Sequence, residues 1–371
     1  MKSTRNYTLD MLKVFATIFI VFHHYQQDGQ GITGQNFHCF VDFYGGIFSF
    51  GYMVELFFVI SGMCMFPYIK KIAQGMTFYQ FYVRRAARLL PLMAVSGVVS
   101  AVLLVFYNRI YCGNGYDLGT PSFFGVIIQA LGVQDGWVFS NPFLNNPTWY
   151  CSVLLLCYVI FFGIVYWSGR LKISPFYGMG FFLLLGCGIN TYGMELPFLN
   201  VSSSRGFCGF FAGVLLAAVM PKIQAWRYSP AASLLVVVLF LADLKWENGD
   251  LEYLPFLLTF VFYPALIILL QSAPLSHITG AAFWGKWSKI TYSIFIWHFP
   301  LYLLVFLLLP ILHINPASAA NQTCMLLFAC VMQPIGWLSH RFLEKPWNQK
   351  MLNWLLAMEP GKKENPTAAV G

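Results

Sequence analysis

The sequence predicts an all-α fold: a polytopic integral membrane bundle of about ten transmembrane helices, with both termini cytoplasmic. Of its 371 residues, 58% are hydrophobic and only 10% are charged, whereas ordinary globular chains carry about 25% charged residues. Apolar runs of about 20 residues recur between short polar links, and each is long enough to cross a bilayer as a helix. The runs lack the alternation of a transmembrane barrel, and an open sheet cannot span lipid.

The apolar runs give the predicted spans in order along the chain. They lie near residues 9–25, 47–67, 89–107, 149–167, 176–190, 206–220, 231–242, 254–271, 290–310 and 322–340. The stretch 121–133 is also apolar, and it is interpreted as a re-entrant or interfacial piece of a long outer loop. The first run resembles a signal sequence, but it ends in His23, His24 and Tyr25 rather than in small residues, so we interpret it as a retained helix.

The distribution of Lys and Arg orients the bundle. With both termini inside, 19 of the 22 Lys and Arg residues fall in cytoplasmic segments, and the outer loops hold only Arg109, Arg205 and Lys245. This asymmetry is a positive-inside signal and supports an even number of spans. The net charge of +8 therefore reflects topology, and no nucleic-acid partner is predicted. Residues 1–347 are predicted to form one membrane domain, followed by a cytoplasmic polar tail at 348–371.

Lys13 and His24 share one face of the first predicted helix. Eleven residues are close to three helical turns, which separates the two side chains by roughly 16 Å along the axis. Ionisable residues within a membrane are costly and mark functional sites by default. The alternative is that Lys13 reaches the inner interface and His24 marks the outer one.

Two further groups of residues stand at positions suited to chemistry. Arg85 and Arg88 share a face at the cytoplasmic start of the third span, where a pair of guanidinium groups suits phosphate binding; inner loops also collect arginines for topology alone. His298 lies about eight residues inside the ninth span, too deep for an interface anchor, although a buried structural histidine fits as well. Ser61 and Gly62 are expected to permit close helix packing.

The nine cysteines show no CxxC spacing, and no metal site is predicted. Most lie inside predicted spans, where free buried cysteine is common. Cys39 and Cys112 fall in outer loops, and whether they pair is left open.

The order of several short motifs resembles the acyltransferase 3 family of integral-membrane acyltransferases, over residues 5 to 347. The motifs are Leu9-Asp10-Met11-Leu12-Lys13 with His24 eleven residues on, Phe57-Phe58-Val59-Ile60-Ser61-Gly62, Arg84-Arg85-Ala86-Ala87-Arg88-Leu89-Leu90-Pro91, Tyr292-Ser293-Ile294-Phe295-Ile296-Trp297-His298-Phe299-Pro300 and Glu344-Lys345-Pro346. The family modifies bacterial surface glycans and related acceptors.

The resemblance implies a multi-pass protein of the bacterial inner membrane that acylates a hydroxyl, most often by O-acetylation of a polysaccharide or its lipid-linked precursor. It implies no permanently bound cofactor and an acyl donor such as acetyl-CoA on the cytosolic side. His24 matches the family's essential histidine, Lys13 matches a basic residue that is usually Arg, and Arg85 and Arg88 match its donor-binding pair. The family's helix-four Glu is absent from Trp149-Tyr150-Cys151-Ser152-Val153-Leu154, so no role is carried over for it.

Acyl transfer needs a base for the hydroxyl proton, and histidine suits that role near neutral pH. We therefore expect His24 to act as the catalytic base, or as an acyl-imidazole relay. Lys13, Arg85 and Arg88 are expected to meet the donor, and His298 to line the donor's path. The lipid bilayer and a glycan or lipid-linked glycan complete the expected partners.

Two other functions fit parts of the sequence. A secondary transporter or flippase would use intramembrane carboxylates, and Glu55 is the one acidic residue clearly within a predicted span. An inactive relative would account for the absent Glu. The polar tail is expected to leave no room for an appended outer domain, so the acceptor would be engaged by the membrane domain. Its outer loop 108–147 offers side chains suited to carbohydrate, or else a solvated surface with interfacial tryptophans: Asp117, Gln134, Asp135, Trp137, Asn141, Asn145, Asn146 and the adjoining Trp149.

Overall fold

The computed structural model describes residues 5–35, 37, 49–111, 116–139, 144–247 and 253–359. Within these ranges the chain is helical and contains no β-strand, which confirms the all-α prediction. The helices are α1 Tyr7–Thr33, α2 Met53–Ala73, α3 Phe78–Ile110, α4 Phe123–Leu131, α5 Trp149–Leu171, α6 Pro175–Tyr192, α7 Val201–Ala225, α8 Ser229–Trp246, α9 Leu254–Leu257, α10 Tyr263–Leu270, α11 Ala273–Thr279, α12 Trp284–Trp287, α13 Thr291–Ile311, α14 Gln322–Ser339 and α15 Lys345–Ala357. Short π-helical segments at Leu258–Phe262 and His340–Glu344 precede α10 and α15.

Helices overlap all ten predicted spans, and seven helical segments of the described chain are long and apolar enough to cross a membrane. The three predicted spans outside that set correspond to α1, α6 and the continuous stretch Leu254–Leu270. The protein is therefore a polytopic helical membrane bundle. Arg5 and Lys345 line one common hollow, which places the two ends of the described chain on the same side of the bundle, as predicted.

The closest helix packing in the core joins α2 to α7. A Cβ atom added at Gly62 would lie 1.9 Å from the carbonyl oxygen of Phe210, and one added at Gly213 would lie 2.0 Å from that of Val59. Only glycine lets the two backbones approach this closely, which is the usual role of small residues between membrane helices. The packing role predicted for Gly62 is confirmed, whereas the hydroxyl of Ser61 lies 2.9 Å from that of Tyr150.

The apolar stretch predicted as a re-entrant or interfacial piece forms α4. The hydroxyl of Ser122 accepts from the backbone of Gly125 at its start, and Gly132 ends it with a φ of +71°. The Gln129 side chain donates to the carbonyl of Met93 on α3 and accepts from the backbone of Asn145. These bonds pin α4 to α3 and to the loop that leads into α5.

The predicted boundary at residues 347 and 348 falls inside α15. This helix packs on α3: the Tyr79 hydroxyl donates to the Leu355 carbonyl at 2.5 Å, and the Gln80 amide donates to Glu359 at 2.6 Å. The first part of the predicted tail is therefore a helix docked on the membrane domain, and residues 360–371 lie outside the described chain.

Candidate active site

Two histidines from helices that are far apart in the sequence lie side by side in the bundle. The rings of His24 on α1 and His298 on α13 have centroids 5.2 Å apart, and both side chains are buried. α1 packs directly against α13, which brings the two positions together. His298 was expected to line the donor's path; the structure places it beside the predicted catalytic histidine.

Asp28 lies one helical turn beyond His24 and faces it. Its Oδ2 atom is 4.0 Å from Nδ1 of His24. The hydroxyl of Tyr116 donates a hydrogen bond to Oδ1, and the hydroxyl of Tyr302 donates one to Oδ2. Since Asp28 is fully buried, these two bonds hold its carboxylate in one position against the histidine.

The histidine nitrogens have unequal surroundings. Nδ1 of His298 lies 3.3 Å from the Ile294 carbonyl, while its buried Nε2 has no hydrogen-bond partner among the described residues. A hydrogen on Nδ1 leaves Nε2 with a free lone pair, because the partner of one ring nitrogen sets the role of the other. In His24 the buried Nδ1 lies 4.0 Å from Oδ2 of Asp28 and has no hydrogen-bond partner among the described residues.

A cavity of about 260 Å³ extends toward these histidines from the side of the bundle where both ends of the described chain lie. Lys13 and Arg88 line its entrance, because both also border the open hollow that Arg5 and Lys345 line. Phe57, Tyr150 and Phe295 line its aromatic side. The ring centroid of Phe295 lies 5.9 Å from that of His298. One layer of aromatic side chains therefore stands between the cavity and the histidine pair.

This open hollow, here called the vestibule, has a volume of about 1170 Å³. It shares four lining residues with the cavity, which makes the two continuous: Lys13, Cys64, Arg84 and Arg88. The vestibule's two carboxylates are already occupied. Asp10 accepts from Arg5 and Ser288 and lies 3.7 Å from Lys13, and Glu344 accepts from Ser293 and His340.

Four cations that line the vestibule form no ion pair with any described residue: Arg84, Arg88, Lys289 and Lys345. All four of these side chains are exposed. Such a space suits a ligand with several phosphate groups, because guanidinium and ammonium groups bind phosphate through charge-assisted hydrogen bonds.

The predicted arginine pair is divided between two environments. Arg88 is exposed in the vestibule, whereas Arg85 is buried and borders only the inner cavity. The Arg85 guanidinium donates to the Phe81 carbonyl and lies 3.6 Å from the centre of the Phe81 ring and 4.3 Å from that of Tyr68. Arg84, which the sequence analysis did not select, accompanies Arg88 in the vestibule.

Asp28 and the tyrosines around it were not predicted from the sequence as site residues. A signal was present: Asp28 follows His24 at the i,i+4 spacing that places two side chains on one helix face, and Tyr302 follows His298 at the same spacing. Neither spacing alone shows that the two pairs face each other, because that requires knowing how α1 packs against α13.

The polar side chains of the outer loop are largely used within the protein. Gln134 donates to the hydroxyl and carbonyl of Thr148, and the Trp137 indole donates to the Ser152 carbonyl. Asp135 accepts from Ser202, and burial raises the pKa of this carboxyl above its usual value. Gln134, Asp135 and Trp137 are therefore bonded within the bundle, whereas Asp117 in the same loop is exposed. A carbohydrate site in this loop stays a prediction.

Two more of the side chains predicted as possible carbohydrate ligands also form contacts within the protein. Asn145 donates to the Ile296 carbonyl on α13, and the Arg205 guanidinium lies 4.7 Å from the Trp149 ring while pairing with Glu55 at 2.6 Å. Asn141, and the possible pair Cys39 and Cys112, lie outside the described residues.

The fold defines a multi-pass helical membrane protein. The chain belongs to the acyltransferase 3 family, whose sequence model, described as "Acyltransferase domain", matches residues 6–340. It is similar to a protein of Bacillus subtilis (strain 168) named "Putative peptidoglycan O-acetyltransferase YrhL", with 24% identity over 388 residues. That alignment covers 91% of this chain and 54% of the relative, so the chain spans about half the relative's length. No solved structure matches the chain.

Proposed function

We propose that this protein, in the bacterial inner membrane, transfers an acetyl group from cytosolic acetyl-CoA to a hydroxyl of a surface glycan or its lipid-linked precursor. The observation that carries the proposal is the path from the vestibule, with its four unpaired cations, through the cavity to the aromatic layer beside His298 and His24. The donor's phosphates fit the vestibule, and its thioester arm fits the cavity. Family membership and the similarity to a protein named as an O-acetyltransferase support the same chemistry.

His24 acts as the base in the proposed reaction. Its Nε2 takes the proton from the acceptor hydroxyl while the hydroxyl oxygen attacks the thioester carbonyl carbon. The carbon–sulfur bond then breaks, and the thiolate of CoA leaves and takes up a proton. Asp28 lies 4.0 Å from Nδ1 of His24, and in the proposed reaction it stabilises the imidazolium that forms and comes into hydrogen-bond contact with Nδ1, as a carboxylate does for a catalytic histidine.

His298 stands close enough to His24 to take part in either of two routes. In direct transfer it borders the thioester, with Nε2 available to a passing group. In a relay, a histidine Nε2 first receives the acetyl group from the thioester, and the acetyl-imidazole then passes it to the hydroxyl. We favour direct transfer because a single base in contact with both substrates suffices for it. The reaction is stopped with acid during turnover of radiolabelled acetyl-CoA. Absence of label on histidine would support direct transfer.

The transporter alternative would need carboxylates within the membrane, and Glu55 was the one acidic residue clearly within a predicted span. Glu55 pairs with Arg205 at 2.6 Å, and that guanidinium also lies over the ring of Trp149. A carboxylate held in this way is poorly suited to bind and release a coupling ion, so the pair favours the enzyme over the transporter.

The test is transfer of radiolabelled acetyl from acetyl-CoA into alkali-labile ester on glycan, in membranes that contain the protein. We expect label in the wild type and a loss of at least about 100-fold in His24→Ala, since a general base contributes that much or more. His277→Ala is the matched control, because His277 is exposed on α11 away from the site. Full activity of a normally folded His24→Ala variant would contradict the assignment.

A further inference from the structure

The wall of the vestibule includes a segment beyond the family match. The match ends at residue 340, yet four residues of α15 line the vestibule: Lys345, Asn348, Gln349 and Leu352. The helix is held there by the bonds of Tyr79 to Leu355 and Gln80 to Glu359. These contacts fix α15 against the start of α3, the helix that carries Arg84 and Arg88.

Two carboxamides in this space each keep a buried atom without a partner among the described residues. They are Oδ1 of Asn348 on α15 and Nε2 of Gln271 at the end of α10. The other end of the Gln271 amide accepts from Gln224 at 3.1 Å. A buried polar atom without a hydrogen bond raises the free energy of the folded protein. A ligand that forms a hydrogen bond with each atom would therefore bind more tightly.

The chemistry of the two atoms is complementary to adenine. Oδ1 of Asn348 is an acceptor for the exocyclic amino group, and the amide hydrogens of Gln271 are donors for a ring nitrogen. In nucleic-acid recognition one Asn or Gln carboxamide makes both kinds of bond to the N6 and N7 edge of adenine; here the acceptor and the donor come from two side chains. Lys345 lies on the same helix as Asn348, and both it and Lys289 line the vestibule that would hold the attached phosphates.

We propose that α15 and Gln271 form a subsite for the adenine nucleotide, with Asn348 and Gln271 contacting the base and Lys345 and Lys289 contacting its phosphates. The inference rests on the proposed function, because the adenine nucleotide it assigns there is the 3′-phospho-ADP portion of the acyl-CoA donor. A free adenine nucleotide has the same recognition chemistry and is separated from the donor in the test below.

The experiment measures dissociation constants for CoA, adenosine 3′,5′-bisphosphate, ADP and 4′-phosphopantetheine on the purified full-length protein in lipid nanodiscs. Asn348→Ala and Gln271→Ala are compared with Asn353→Ala, an exposed asparagine of the same helix that does not line the vestibule. We expect the two subsite variants to weaken CoA and the bisphosphate about tenfold, the size of one hydrogen bond to the ligand. Binding of 4′-phosphopantetheine and the maximal rate of transfer should stay unchanged, while the KM for acetyl-CoA rises.

The possible outcomes test the adenine subsite and the proposed function separately. CoA binding that neither variant weakens relative to Asn353→Ala would overturn the subsite and leave the donor proposal in place. Wild-type protein that binds ADP as tightly as CoA, with no gain from the pantetheine arm, would show that the subsite serves a free nucleotide and would overturn its assignment to the donor. Wild-type protein that binds none of the four compounds would overturn both proposals.

Discussion

The hydroxyl of Tyr302 on α13 donates a hydrogen bond to Oδ2 of Asp28 on α1, the same oxygen that lies 4.0 Å from Nδ1 of His24. One tyrosine thereby fixes the carboxylate that faces the proposed base. Because Tyr302 and His298 both belong to α13, this bond also secures the packing that sets the two histidines beside each other.

Replacing Asp28 with Asn should lower the turnover number at least tenfold and leave the KM for acetyl-CoA unchanged, because the carboxylate positions His24 without touching the donor. Tyr302→Phe should show a smaller loss of the same kind, since Tyr116 still holds Asp28. The measurement is steady-state acetyl transfer over a range of acetyl-CoA concentrations. Asp243→Asn, an exposed carboxylate on α8, is the control. A raised KM for acetyl-CoA with a normal turnover number would show that Asp28 contributes to donor binding and does not position His24.

Arg88→Ala should raise the KM for acetyl-CoA about tenfold or more with little change in turnover, since it removes a charge-assisted bond to a donor phosphate. Arg88→Lys should recover part of the loss by keeping the charge. Donor titrations of the transfer rate distinguish these cases, with the exposed Arg170 on α5 replaced by Ala for comparison.

Arg85→Ala should behave differently from Arg88→Ala. It leaves a gap among Phe81, Tyr68 and Tyr158, whose rings surround the guanidinium, so we expect a lower thermal unfolding temperature as well as weaker transfer. The measurement is thermal unfolding in detergent. An Arg85→Ala protein as stable as the wild type would show that the side chain is held for the ligand alone.

Alkylation of Cys64 should block the enzyme. The thiol is exposed and lines both the vestibule and the cavity, so a maleimide bound there would obstruct the donor's path. We expect CoA to protect against both labelling and inactivation, and Cys64→Ser to resist the reagent. Cys330, exposed on α14 and absent from both linings, provides the comparison. Labelling of Cys64 that leaves transfer intact would place the donor elsewhere.

Gly62→Ala should destabilise the bundle by about 1–3 kcal/mol or more, the typical cost of overpacking a filled core. The added methyl group would meet the Phe210 carbonyl at 1.9 Å, and a backbone atom cannot move aside as a flexible side chain can. Gly163→Ala is the matched control, since a Cβ there meets nothing within 4 Å and alanine favours helix. Thermal unfolding temperatures of the two variants should move in opposite directions or differ by several degrees.

The sequence by itself determined the class of fold, the approximate positions of its helices and that both ends of the described chain lie on one side of the bundle. These features follow from hydropathy and charge, which act on each segment against the bilayer whatever its neighbours are. The motif order also led to the family that the comparison confirms.

Only the tertiary structure decided which side chains meet. Arg84 and Arg85 are adjacent in sequence, but a helix turns by about 100° per residue, so one reaches the vestibule while the other is buried among aromatic rings. The pairing of His24 with His298 depends on how α1 packs against α13, and the vestibule wall depends on α15 docking on α3. Those contacts arise from side-chain shape and backbone approach between helices remote in the chain, which a local pattern does not encode.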